Sequence, residues 1–196
     1  MKKRSASIER KTTETNIKLS LTIDGMGKYS IDTGVGFFDH MLELFARHGL
    51  FDLTIKAKGD TRVDFHHTVE DVGICLGKAI QKALGDCAGI RRYSSLGIVM
   101  DEALTYVALD ISGRPHLEYH GKSPKSKVGE FDVELAHEFF KALVTNAKIT
   151  MHVELIRGEN LHHIIESNFK AVARALRIAT EPDPRSKAIP STKGVL

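Results

Sequence analysis

Residues 37–73 read FFDHMLELFARHGLFDLTIKAKGDTRVDFHHTVEDVG, and residues 135–172 read LAHEFFKALVTNAKITMHVELIRGENLHHIIESNFKAV. Both run from a helical pattern through a short turn into an alternating strand, then a Gly-containing loop, HHxxE and a second helical pattern. Met41, Leu42, Leu44 and Phe45 mark the buried face of the first helix in one copy; Phe139, Phe140, Ala142 and Leu143 mark it in the other. The strands Leu53–Ala57 and Met151–Leu155 alternate apolar and polar residues, as half-buried strands do. A fixed self-similarity of this length sets the architecture before any single element does.

The match extends upstream. ETNIKLSLTIDG from Glu14 and EALTYVALDISG from Glu102 each open on Glu and close on Gly. A second strand is expected after each, over 28–32 and 115–120. The unit is strand, strand, helix, strand, helix, used twice. Val69, Val72, Leu76, Ile80 and Ala83 recur at helical steps, as do Ile165, Phe169, Val172 and Leu176, so each HHxxE opens a helix that packs on a sheet. The expected fold is α/β (α+β): an internal duplication with two mainly antiparallel sheets and helices packed on one face of each. Residues 1–90 are expected to form the first half, 91–180 the second, and 181–196 a flexible C-terminal tail that closes over a bound anionic substrate.

Composition is that of a globular protein, with 42% hydrophobic and 27% charged residues among 196. No run approaches the roughly 18 apolar residues of a membrane span, and MKKRSASIERK has no apolar stretch behind its basic residues, so no secretory signal is expected. Cys75 and Cys87 fit no metal or redox spacing and read as reduced thiols of a cytoplasmic protein. A net charge of +3, with acids and bases interleaved, gives no basic stripe for nucleic acid.

Ten histidines are the unusual feature. On a helix, residues i and i+4 share a face, while i and i+1 point about 100° apart. His66 with Glu70 can hold one cation, and His162 with Glu166 another, leaving His67 and His163 turned away. Two motifs facing each other would make two metal sites, each completed by the odd histidine of the other motif. Ungapped alignment of the first helices sets Glu138, not His137, opposite His40. The expected sets are His40, His67, His162 and Glu166 for one ion, and His66, Glu70, Glu138 and His163 for the second, with His137 left open. Imidazole with carboxylate suits Mn, Fe or Zn, and the lack of thiolates argues against a closed structural zinc site. His48, His116, His120 and His152 read as surface or packing residues. Arg92 in GIRRYSS and Arg114 in SGRPH offer planar guanidinium groups for phosphate or carboxylate. Ser191, Thr192 and Lys193 in STKG gather two hydroxyls and an ammonium beside a flexible Gly.

From the residues alone, a di-metal phosphoester hydrolase and a non-catalytic, metal-bridged assembly protein stay open beside other metal chemistry. The segments GFFDHML, DFHHTVED, DEAL, SGRPHLEY, GENLHHIIESNFKAVARALR and IPSTKGVL, in that order, resemble the imidazoleglycerol-phosphate dehydratase family of histidine biosynthesis over nearly the whole chain. The resemblance implies a cytoplasmic lyase that removes water from imidazole glycerol phosphate to give imidazole acetol phosphate. It implies two Mn²⁺ per active site, which hold the substrate imidazole as imidazolate. It also implies a closed homo-oligomeric shell of twenty-four copies with sites completed between subunits. Family ligands correspond to His40, His66, His67, Glu70, His162, His163 and Glu166. Substrate contacts correspond to Glu14, Arg92, Arg114, Lys170, Ser191 and Lys193. Glu138 departs from the family pattern, which has His there. Glu14 is the expected proton shuttle, with Glu102, its repeat partner, as the weaker candidate.

Overall fold

In the computed structural model, residues 3–121 and 125–196 are described. The first half runs β1 (Ser5–Lys11), β2 (Thr15–Thr22), β3 (Tyr29–Asp32), α1 (Gly36–Gly49), β4 (Asp52–Gly59) and α2 (His66–Leu84). The second runs β5 (Tyr93–Met100), β6 (Ala103–Asp110), β7 (His116–His120), a small β8–β9 hairpin (Lys127–Val128 and Phe131–Asp132), α3 (Leu135–Ala147), β10 (Thr150–Arg157) and α4 (Leu161–Thr180). The sheets order as β1-β2-β4-β3 and β5-β6-β10-β7, antiparallel except for the last pair of each.

Strand register carries the duplication. Leu53 stands between Leu21 and Tyr29 in the first sheet, and Met151 between Leu109 and Leu117 in the second. The expected unit lacks its opening strand: β1 and β5 precede the segments that begin at Glu14 and Glu102. Both are edge strands with one partner each, and their half-exposed alternation is too shallow to stand out in sequence. The β8–β9 hairpin has no counterpart in the first half among the described residues.

Each sheet has one apolar face: Ile17, Leu19, Leu21, Leu53 and Ile55 in the first, Val107, Leu109, Met151 and Val153 in the second. The helices lie between the sheets. α2 packs on β1 and β2 and α4 on β5 and β6, while across the middle α1 meets α4 and α2 meets α3. A helix covered by a sheet on one side and a helix on the other buries a wide arc, so Ile164, Ala171 and Ala175 of α4 are as buried as its Phe169 and Val172. Phe38, Phe45, Phe139, Phe140 and Phe169 lie fully inside, each contributing about 2–3 kcal/mol by burial. α2 approaches α3 most closely at Gly73 and Gly77. A Cβ at Gly77 would stand 2.5 Å from the Leu143 carbonyl oxygen, and one at Gly73 2.8 Å from that of Phe139.

The tail beyond Thr180 has no helix or strand, yet it is laid against the start of the second half. Asp183 donates its backbone N–H to the Gly89 carbonyl, Gly89 donates to Ala188, and Leu196 rests on Gly113. No helix among the described residues is long and apolar enough to cross a membrane.

Candidate metal centre

The first turns of α2 and α4 deliver the HHxxE motifs. α4 is capped by Asn160, whose Oδ1 accepts the N–H groups of His162 (2.9 Å) and His163 (3.3 Å). α2 starts at Phe65 with no side-chain cap bond; Asp64 instead accepts the His66 N–H at 2.8 Å.

Because α1 and α4 run side by side, His40 reaches the α4 motif. Donor atoms of His40, His162 and Glu166 lie within 4.8 Å of one another, the only such group of three among the described residues. His162 Nε2 is 3.2 Å, and His40 Nε2 3.9 Å, from Glu166 Oε2. Burial would raise the Glu166 carboxyl, but the Lys170 ammonium one turn on and His162 outweigh it, so Glu166 sits below the usual range and stays ionised. Phe37, backed by Phe131 of the β8–β9 hairpin, meets the His162 ring edge-on at 5.2 Å. On α2, His66 Nε2 lies 3.8 Å from Glu70 Oε2, both half exposed.

The odd histidines point elsewhere, as the helical geometry requires. His67 Nδ1 is 3.0 Å from Asp60 and 3.8 Å from Glu14, and the Asp60 hydrogen bond raises the imidazole above its ordinary value. His163 Nδ1 is 2.7 Å from Glu102, a contact that raises His163 and lowers Glu102 to about 2. A carboxylate on Nδ1 leaves Nε2 free as a ligand and orients the ring. Within one chain, then, none of His66, His67, Glu70, Glu138 and His163 belongs to a three-donor group among the described residues, so the expected second set is not assembled there. Glu138 lies in the first turn of α3, which runs beside α2, with His137 Nδ1 at 2.9 Å and Lys141 Nζ at 3.5 Å. Burial raises Glu138, and His137 and Lys141 outweigh that and lower it. The donors are imidazole and carboxylate throughout, a set that fits a divalent ion such as Mn²⁺.

The remaining expected residues divide in two. Lys170 belongs to the His40–His162–Glu166 group. Arg92 is engaged by Asp110 (2.8 Å) and donates to the Pro190 carbonyl (2.7 Å), which leads the tail past it toward Gly113. Arg114 donates to the Ser112 carbonyl in the turn before β7, and Ser191, Thr192 and Lys193 follow Pro190 at the surface. The Arg92 N–H bonds Ala179, near the far end of α4. Ala179 is roughly 20 Å along the helix from Glu166 at 1.5 Å per residue.

Glu14 lies in the turn between β1 and β2 rather than on a strand, half exposed above α2. Glu102 is otherwise committed: Oε1 accepts the Asn160 N–H at 2.9 Å and that of Glu159 at 3.3 Å. One contributor escaped the sequence reading: Asp60, in an ordinary-looking Gly-Asp turn, gave no signal. His48 lies two turns from His40 on α1, where burial, Lys170 and Arg174 lower its imidazole. His116, His120 and His152 stand apart on the outer side of the second sheet, with His120 bonded to Glu118 at 2.7 Å.

Comparison with known proteins gives one family. The profile described as "Imidazoleglycerol-phosphate dehydratase" matches residues 33–176. The imidazoleglycerol-phosphate dehydratase of Pelobacter propionicus is 58% identical over 193 residues, covering 98% of this chain and 99% of that one. That of Desulforamulus reducens is 59% identical over 196 residues, covering both chains fully (100% and 100%). Among solved structures, the Staphylococcus aureus imidazoleglycerol-phosphate dehydratase superposes with a TM-score of 0.83 at 43% identity, over 91% of this chain and 99% of that one. The Pyrococcus furiosus enzyme, in complex with (S)-C348, gives 0.83 at 36% identity over 96% and 100%.

Proposed function

The chain belongs to the imidazoleglycerol-phosphate dehydratase family, and from that premise we propose how its residues perform the dehydration. It is a lyase of histidine biosynthesis, which removes the grounds for a hydrolase or a purely structural metal protein. The proposed reaction converts imidazole glycerol phosphate to imidazole acetol phosphate. The observation that carries the reading is the convergence of His40, from the first half, with His162 and Glu166, from the second.

His40, His162 and Glu166 would hold one Mn²⁺, and His66 and Glu70, with Glu138 from the adjoining α3, a second. His67 and His163, each oriented from its Nδ1 side, would supply further Nε2 donors. Mn²⁺ held there would supply Lewis acidity, stabilising negative charge on the substrate ring and so easing loss of the hydroxyl beside it. The hydroxyl leaves the carbon beside the ring and the proton leaves the next carbon, giving an enol that tautomerises to the ketone; Glu14 is the proposed shuttle for that proton. It is half exposed and, among the described residues, its carboxylate has only the 3.8 Å contact with His67, whereas Glu102 is bonded to two backbone N–H groups and to His163.

Arg92, Arg114, Lys170 and the hydroxyls and ammonium of Ser191, Thr192 and Lys193 would grip the phosphate, lending binding energy to orientation. The roughly 20 Å along α4 between Arg92 and the metal ligands exceeds the substrate's reach of about 10 Å, that of three extended residues. Arg92 of one copy therefore serves a metal centre of another, and the enzyme works as a homo-oligomer, proposed as a shell of twenty-four. The outer faces of the sheets support this. The first carries Ser7, Glu9, Lys18, Ser20, Lys56 and Lys58, whereas the second exposes Tyr93, Val99, Tyr106 and Ile156. A cytoplasmic location is proposed with it.

The test is a dehydration assay on imidazole glycerol phosphate with chelator-stripped protein, then with Mn²⁺ restored. Product only after Mn²⁺ returns is the expected outcome. Full turnover in rigorously stripped protein would remove the metal from the mechanism, and silence in folded, metal-loaded protein would remove the substrate.

A further inference from the structure

Asp71 follows Glu70 in sequence but faces inward and is only 6% exposed. A buried carboxylate is costly unless it is paired and hydrogen-bonded. Arg10 of β1 supplies the charge, with Nη2 2.9 Å from Asp71 Oδ1, and Thr15 at the start of β2 donates its hydroxyl to Oδ2 at 2.5 Å. Thr15 is the neighbour of Glu14. The Thr12 hydroxyl closes the turn, accepting the backbone N–H groups of Glu14 at 3.1 Å and of Thr15 at 2.9 Å. An unbroken set of bonds thus joins the metal-bearing helix to the turn that presents Glu14.

Stability alone is a weak reason for this charge, since well-packed apolar residues often replace a buried ion pair without loss. The second half makes the point. There Ser167 follows Glu166 as Asp71 follows Glu70, and its hydroxyl lies 2.7 Å from that of Thr105 on β6 in an uncharged contact. In that half the turn acid, Glu102, is fixed by His163 and by the Glu159 and Asn160 N–H groups. The charged lock occurs where the carboxylate of the turn acid has, among the described residues, only the longer 3.8 Å contact with His67.

We infer that Asp71, acting through Thr15 and backed by Arg10, is a positioning residue that holds Glu14 over the first turn of α2; this rests on the reading of Glu14 as the proton shuttle. A general base displaced by a fraction of an ångström remains folded in place and still loses rate.

Thr15→Val removes the hydroxyl and leaves the Arg10–Asp71 pair. Its kcat is expected to fall about tenfold with misplacement of the base, with KM and the Mn²⁺ affinity of the whole enzyme unchanged. Thr15→Ser restores kcat. In a Glu14→Gln background, Thr15→Val adds no further loss, because both act on one group. Should Thr15→Val fold poorly, Thr12→Ala removes the acceptor of the Glu14 N–H at a more exposed position and is read on the same terms. Wild-type kcat in Thr15→Val, a fall of Mn²⁺ affinity in step with kcat, or losses that multiply with Glu14→Gln would each overturn the inference. Full turnover in Glu14→Gln would refute the shuttle and the anchor together. An inactive Glu14→Gln beside a fully active Thr15→Val would refute the anchor alone.

Discussion

Helices α2 and α4 carry the same HHxxE spacing and are held by opposite means. α4 is capped by Asn160, clamped from the side by Glu102 and seated on the uncharged Thr105–Ser167 contact. α2 has no side-chain cap bond and is locked from beneath by Arg10 and Asp71. Duplication has preserved the direction in which the ligands point, while the surroundings have diverged. In the second half the turn acid is a structural clamp, and in the first it is half exposed with a longer contact to His67.

The contrast can be broken most severely at the carboxylates. Glu166 is buried and gathers His40, His162 and Lys170, whereas Glu70 is half exposed and lies near His66. Glu166→Gln should cost roughly a thousandfold in kcat/KM, about 4 kcal/mol, and Glu70→Gln less; steady-state kinetics with Mn²⁺ titration would rank them. The next effect is on stability. Gly77→Ala sets a Cβ against the Leu143 carbonyl and should cost about 3 kcal/mol. Ala173→Gly, at the equivalent step of α4, should cost about 1 kcal/mol. Urea unfolding measures both, and equal losses would erase the difference in helix approach. Asn160→Ala removes the cap and should cost about 1 kcal/mol, seen as a lower Tm.

The smallest effect compares the edge strands. Arg4, at the start of β1, pairs with Asp24 as Arg92, before β5, pairs with Asp110. The Arg4 hydrogen bond holds Asp24 below its ordinary 3.8. Its contribution is therefore full above that pH and is lost as pH falls through the lower, folded value. Asp24→Asn should flatten the acid limb of stability just below about pH 4 by under ~1 kcal/mol, as expected of a partly exposed pair. Thermal melts across that range test it.

The repeat, the two helices that open on HHxxE and the outward turn of His67 and His163 were legible because 3.6-residue periodicity dictates them. Which helix meets which was not. Amphipathic faces say that α1 and α4 bury a side, and nothing in their pattern distinguishes pairing with each other from pairing within a half. Glu102 and Glu14 occupy matching positions in sequence. Only the path of the loop at Glu159 and Asn160 shows that one is spent on backbone N–H groups. Asp60 was hidden for a similar reason, since an Asp after Gly reads as a turn residue whether or not a histidine folds back onto it.

The crossing of helices between halves has a consequence for how the chain is made. α1 exposes Phe38, Met41 and Phe45 early in synthesis, and its partner α4, at Leu161–Thr180, leaves the ribosome long after it. At cellular rates that delay is on the order of ten seconds. During it the first sheet can pair, but its helical layer lacks its far wall, so an apolar surface waits open to aggregation or chaperone capture. Truncated nascent chains ending before residue 161 should therefore be held by chaperones, and release should coincide with the arrival of His162 and Glu166 beside His40.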